Sequence, residues 1–311
     1  LDYVTTSSSA GTLTVDSATS DIFFEGTNTM INNGDWNFVD CNKVAFGQPF
    51  DIERSLNLNC QSEFTSDTVV KASLSVISSS LTVTSTGTLT QDPLQGTISL
   101  VGSTANFFGD VSLDGISASS GSEIVVSGGT TSLSGIPNFN LATITVSGGT
   151  LDLSGIEELQ LQSGSLLQWN NGDISTSATN TIQLAGSTFV VAASGGTING
   201  GIDLIEGSNL EFLSSVTLQD GSLTADSSSI AIKASQVFDS SFPFTVVDGV
   251  GVEHTSGTLR IDSPLSIEQT PWKSTGTMTL GGEAFVSSSI VETENKLTVS
   301  DILEITNGAV W

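Results

Sequence analysis

The chain has 311 residues, with 33 acidic against 7 basic, a formal charge of −26 and only 13% charged residues. Soluble domains usually carry about 25% charged residues, so this one is less acid-rich than base-poor, and its hydrophobic content of 37% argues against disorder. The scattered Lys43, Arg54, Lys71, Lys233, Arg260, Lys273 and Lys296 offer no cluster to nucleic acid or anionic lipid, and no apolar run approaches the roughly 20 residues of a membrane span.

The chain starts at Leu1 with neither an initiator methionine nor a basic-then-apolar leader, and stops at Trp311 just after Asn307-Gly308. This reads as a portion of a longer protein whose targeting segment is missing. The first predicted element is the phrase Gly11-Thr12-Leu13-Thr14-Val15, a glycine turn feeding a strand of period two. It returns at Gly87-Thr88-Leu89-Thr90, Gly96-Thr97-Ile98-Ser99-Leu100 and Gly129-Thr130-Thr131-Ser132-Leu133. Gly149-Thr150-Leu151-Asp152-Leu153, Gly257-Thr258-Leu259-Arg260-Ile261 and Gly276-Thr277-Met278-Thr279-Leu280 continue it.

Residues 36–71 depart from the pattern. They hold Phe38, Phe46, Phe50, three of the basic residues and both cysteines, and predict an irregular cap or insertion, since solenoids must cover their core ends. Cys41 and Cys60 lie 19 residues apart, close to one coil, so stacking would bring them together on adjacent rungs. A bridge closing such a loop contributes about 3 kcal/mol and implies an oxidising compartment; two buried free thiols are the alternative.

The register is clearest in the middle, where Val126–Ile136 aligns without a gap on Val146–Ile156. Asn32-Asn33-Gly34-Asp35 recurs as Asn170-Asn171-Gly172-Asp173, and Ser194-Gly195-Gly196-Thr197 repeats the turn. The longer interval from Gly221 to Gly257 suggests degenerate coils or insertions. Around 237–271 the residues Phe238, Phe242, Phe244, Pro243, Pro264 and Pro271 suggest a second irregular zone, with the prolines in loops or at edges.

Units of 20 to 25 residues are too short to bury their own apolar faces and must stack. The fold class predicted is all-β: a right-handed, single-stranded parallel β-helix over residues 1–311, with about 13 or 14 coils at a strand spacing near 4.8 Å. Ile124, Val126, Leu133, Ile136, Leu151, Leu153 and Ile156 become its aliphatic rungs. A strict hexapeptide rhythm, which the left-handed form needs, is absent. Immunoglobulin-like modules of about 100 residues have no counterpart.

Chemistry is sparse. His254, the sole histidine, follows Glu253, but no Gly-x-Ser-x-Gly elbow supplies a nucleophile for a triad, so it reads as a surface or turn histidine. Asp248-Gly249-Val250-Gly251 lacks the third glycine of a dinucleotide fingerprint and reads as a turn. Two cysteines and one histidine at these spacings make no zinc site, and Asp35 or Asp173 in a turn caps backbone amides before it binds calcium. Asp152 with a carboxylate one coil away is the conceivable glycosidase pair.

Thr-x-Thr pairs occur at Thr12/Thr14, Thr82/Thr84, Thr88/Thr90, Thr143/Thr145, Thr179/Thr181 and Thr277/Thr279. They resemble those of some ice-binding proteins, which need the pair in consecutive coils. Trp36, Trp169, Trp272 and Trp311 could stack on sugars but are better placed as core filling. No asparagine falls in an Asn-x-Ser/Thr sequon, which leans towards a source without N-glycosylation or a surface that stays bare. No catalytic, cofactor-binding or metal-binding residue is assigned; the site residues are the disulfide candidates Cys41 and Cys60.

With Ser-Gly-Gly-Thr turns and Gly-Thr-Leu-x-Leu strands over most of its length, the chain resembles the β-helical shafts of surface proteins: autotransporter passengers, filamentous adhesins and secreted appendage proteins. The resemblance implies a non-catalytic extracellular rod, structural or adhesive, that meets other protein subunits or surface glycans. The rival expectation is a carbohydrate-binding or carbohydrate-active β-helix of the lyase or hydrolase kind, with ice binding a third.

Overall fold

The computed structural model describes residues 11–16 and 21–310. Among them the regular elements are all β-strands, paired in parallel and stacked as a β-solenoid of about 15 turns. The chain divides into two compact units, Leu1–Ile156 and Glu157–Trp311.

In the first unit each coil lays one strand in each of three walls, as in Thr97–Val101, Thr104–Phe107 and Asp110–Asp114. Register steps range from 18 residues (Ser99 to Ser117) to 24 (Ser73 to Thr97). Alternation does the sorting: along Thr104–Phe107, Ala105 and Phe107 turn inward while Thr104 and Asn106 stay half-exposed. Stacked coils align the inward residues into columns such as Leu81–Ala105–Ile124–Ile144 and Val83–Phe107–Val126–Val146. Burying each large side chain fully is worth about 1.5–3 kcal/mol.

Residues 36–71 are neither cap nor insertion. Asp35–Phe46 is one long strand that bends through two walls, its first half paired with Thr12–Asp16 and its last residues with Asp21–Phe24. Leu56–Phe64 follows it in the same way, and Phe50–Ile52 and Thr68–Val70 complete the third wall. The unusual composition reflects what fills the lumen. Phe24, Trp36, Phe38, Phe46 and Phe50 stack there with ring centroids from 4.7 to 6.4 Å apart, each pair adding about 0.5–1.5 kcal/mol.

Ile136 is a second correction: it is 88% exposed and is no rung. The register that pairs Ser117 with Asn138 sets Pro137 beside Ile116. Pro137 is buried in that inward corner, which leaves Ile136 outside.

The glycine-threonine phrase has two placements. Gly11 and Gly96 lead into first-wall strands, whereas Gly87, Gly129 and Gly149 lead into the third wall. At the third-wall turn the backbones nearly touch. A Cβ on Gly109 would sit 2.1 Å from the Gly87 carbonyl oxygen, and one on Gly129 2.6 Å from the Gly109 carbonyl carbon.

The second unit repeats the three-wall plan, as in Gly201–Ile205, Asn209–Phe212 and Thr217–Gln219. One inward column runs Ile182–Ile202–Leu223–Phe244–Leu265–Ala284. The interval from Gly221 to Gly257 holds an ordinary coil, Leu223–Asp226, Ser229–Ile232 and Gln236–Phe238, so no insertion exists there. Residues 237–271 are equally regular, with Phe238 stacked on Phe244 at 4.7 Å. Pro243, Pro264 and Pro271 each stand just before a strand, where a missing N–H breaks no ladder. Their carbonyls still accept from Leu223, Phe244 and Val252 at 2.9–3.0 Å.

Candidate functional site

Cys41 and Cys60 form a disulfide with a Cα–Cα distance of 5.3 Å. It sits at the corner between the first and second walls. Pairing of the long strands breaks there: Val39 faces Asn59 and Lys43 faces Gln61, so Asp40, Cys41 and Asn42 together oppose Cys60. Asp40 absorbs the surplus in the left-handed region, at φ 52°.

The same corner carries a feature that the sequence reading missed. In coil after coil a left-handed residue precedes a buried serine or threonine. Register puts Cys60, Ser79, Ser103 and Ser122 in one column of the first unit. Ser165, Ser187, Ser208 and Ser228 form another in the second. The N–H of Ser79 donates to Ser103 Oγ at 3.4 Å, and that of Ser103 to Ser122 Oγ at 3.3 Å. Ser187 and Ser208 donate likewise to Ser208 Oγ and Ser228 Oγ, both at 3.2 Å.

Each hydroxyl then donates to a carbonyl: Ser103 to Val76 and Val101, Ser208 to Leu184 and Ile205, at 2.6–2.9 Å. The result is a polar spine from coil to coil, and the disulfide stands in that column. In the coil after Ser228, Gly249 gives its N–H to Thr270 Oγ1 at 2.8 Å while Val250 is pushed out to 69% exposure. Asp248-Gly249-Val250-Gly251 is thus a corner turn.

His254 is not the expected surface or turn histidine; it is fully buried. Its Nδ1 lies 2.8 Å from Ser274 Oγ and its Nε2 2.8 Å from the Ser256 carbonyl. A carbonyl only accepts, so Nε2 carries the proton and Nδ1 receives the serine hydroxyl. Burial holds the imidazole pKa below its ordinary value, against a smaller rise from the Ser256 carbonyl. Neither ring nitrogen meets a carboxylate: their partners are Ser274 Oγ and the Ser256 carbonyl.

Five of the seven cations pair with acids, mostly on the neighbouring coil: Lys43 with Glu63, Lys71 with Asp51 and Glu53, Lys233 with Glu211, Lys273 with Glu294 and Arg260 with Asp262. Hydrogen bonding to Asp51 raises the Lys71 pKa, and that to Glu294 raises Lys273. These lysines stay charged and are no bases.

The other candidates scatter. Asp152 faces Ser132, not a carboxylate, on the preceding coil, and takes the Ser154 N–H at 3.0 Å. Asp35 starts a strand and accepts the Ser55 hydroxyl at 2.5 Å in place of capping a turn; Asp173 likewise starts Asp173–Ser175. Trp36, Trp169 and Trp272 are buried in the core, and Trp311 lies outside the described residues. The threonine pairs do not stack. Thr88 and Thr90 meet Asp110 and Ser112, and Thr143 and Thr145 meet Glu123 and Val125. Among the described residues no group of three His, Cys, Asp or Glu could hold a metal ion.

Three surface depressions stand out. One of about 350 Å³ runs along the third wall of the first unit at Thr88, Asp110 and Thr130. One of about 280 Å³ on the second unit is lined by Val250, Pro271, Lys273 and Ile290. One of about 480 Å³ lies at the disulfide corner. Comparison with known proteins finds no matching family model, no similar curated protein and no similar solved structure.

Proposed function

We propose that the protein is a non-catalytic structural and adhesive wall, a segment or subunit of a secreted, cell-surface or filamentous appendage protein. The observation that carries this reading is the use made of its polar side chains. Spine hydroxyls join coil to coil, Lys43, Lys71, Lys233 and Lys273 pair with acids on adjacent coils, and the one histidine is sealed in the core. Such use of polar groups between coils favours a structural wall over a catalytic centre. The Cys41–Cys60 bridge supports an oxidising, extracellular setting. The base-poor surface favours protein subunits or glycans as partners over nucleic acid, and among the described residues no helix is long and apolar enough to cross a membrane.

Immunogold imaging of the native material, with incubation of the purified chain on a polysaccharide panel, tests this. The reading expects label on outer surfaces or fibres and no release of reducing ends. Label confined to the cytosol defeats it, as does turnover that Asp152→Ala or another acidic substitution abolishes.

A further inference from the structure

The largest of the three depressions is lined by several polar side chains that folding leaves unused. Its polar groups come from Asn42, Asn59 and Gln61 and from Ser78, Ser79 and Ser80. The carboxamides are the neighbours of the two cysteines: Asn42 follows Cys41, while Asn59 and Gln61 bracket Cys60. The bridge therefore pins the backbone from which all three project. Register sets Ser80 beside Gln61 on the next coil.

Among the described residues, the side chains of Asn59, Gln61, Ser78 and Ser80 make no hydrogen bond. Asn57, two residues before Asn59 on the same strand, gives its carboxamide to Asn37 at 2.6 Å. None of these lining residues is charged, on a chain whose formal charge is −26.

We infer that this depression binds a neutral saccharide. A carboxamide offers an acceptor and two donors, and a serine hydroxyl offers both roles. Neighbouring hydroxyls on a pyranose edge are donor and acceptor in the same way, so two of them pair with one carboxamide. Anions fit badly beside the Asp21 carboxylate that takes the Asn42 carboxamide at 2.6 Å, and no lining side chain is charged to offset a cation's lost hydration. An added protein strand fits badly too, since Leu56–Phe64 already has paired strands on both sides and leaves no edge. The inference rests on the reading of the protein as a wall that holds its ligand without converting it.

Calorimetric titration of the whole chain with cellohexaose, chitohexaose, maltohexaose and mannohexaose tests it, with heparin and polygalacturonate as charged comparators. At least one neutral hexamer is expected to bind. Asn59→Ala and Gln61→Ala should each weaken it about tenfold or more, and Gln168→Ala on the second unit should not. Three results overturn the site: no neutral probe bound at about 10 mM, binding of the charged polymers alone, or neutral binding that survives both substitutions. Shortening of a bound probe, seen by chromatography and lost with Asn59→Ala, supports the site and defeats the non-catalytic reading, so the two fail separately.

Discussion

Ser208→Ala probes the polar spine at its best-connected member. Ser208 is fully buried; its Oγ donates to the Leu184 and Ile205 carbonyls at 2.8 and 2.6 Å and accepts the Ser187 N–H at 3.2 Å. The Ile205 carbonyl keeps other donors, the N–H groups of Gly186 and Ser208 itself. Alanine therefore orphans chiefly one group, the Ser187 N–H, in a place water cannot reach. A buried donor left unpaired costs about 1–3 kcal/mol. Because a solenoid opens locally as well as globally, amide hydrogen exchange is the sharper assay. The Ser187 amide should exchange about tenfold faster or more, at 1.4 kcal/mol per factor of ten. Ser229→Ala, which removes a surface hydroxyl bonded to Asn209, should stay within about 0.5 kcal/mol. Equal protection of Ser187 in both variants would refute the spine as a stabilising element.

Reducing the Cys41–Cys60 bridge should destabilise the first unit by about 3 kcal/mol, read from urea midpoints with and without reductant; an unchanged midpoint contradicts the staple. His254 predicts an acid-sensitive second unit. Its folded pKa is depressed, so its contribution is constant above the unfolded value near 6.5 and is lost as pH falls below it. His254→Phe should flatten the stability profile just below about pH 6.5, and an identical slope in both proteins would refute this. Gly109→Ala, which drives a Cβ to 2.1 Å from the Gly87 carbonyl, should cost more than Gly121→Ala, which meets nothing within 4 Å. The second pays only for its left-handed backbone, about 1 kcal/mol; thermal melts giving equal losses reject close stacking as the reason for the glycine.

The parallel solenoid was legible in the sequence because a two-residue alternation with a recurring turn permits few other ways to bury one face. The disulfide was legible for a related reason: 19 residues is close to the coil length. Corners were harder. The turn that leads into the third wall needs glycine where backbones crowd, so it left a readable mark. The spine corner needs only a left-handed residue, and Asp40, Ser78, Leu141, Glu206 and Gln269 all serve, so no single letter marks it. Aromatic residues misled twice, at 36–71 and 237–271, because lumen filling and loop insertion look alike in composition. Ile136 misled because the residue after it, Pro137, took the inward position. The depression at the bridge could have been suspected from carboxamides flanking both cysteines, but its hydroxyls come from a coil about twenty residues on and needed coordinates.

The spine also bears on how such a chain changes length. Corners built on serine present the same donor to one side and the same acceptor to the other, so a turn of that kind can be copied or lost without leaving a mismatched seam. The near-identity of Val126–Ile136 and Val146–Ile156 is what one tandem duplication of some sixty nucleotides would leave behind. A change of one whole coil keeps the inward columns in register, whereas a gain or loss of a few residues within a wall would throw the paired column out of step.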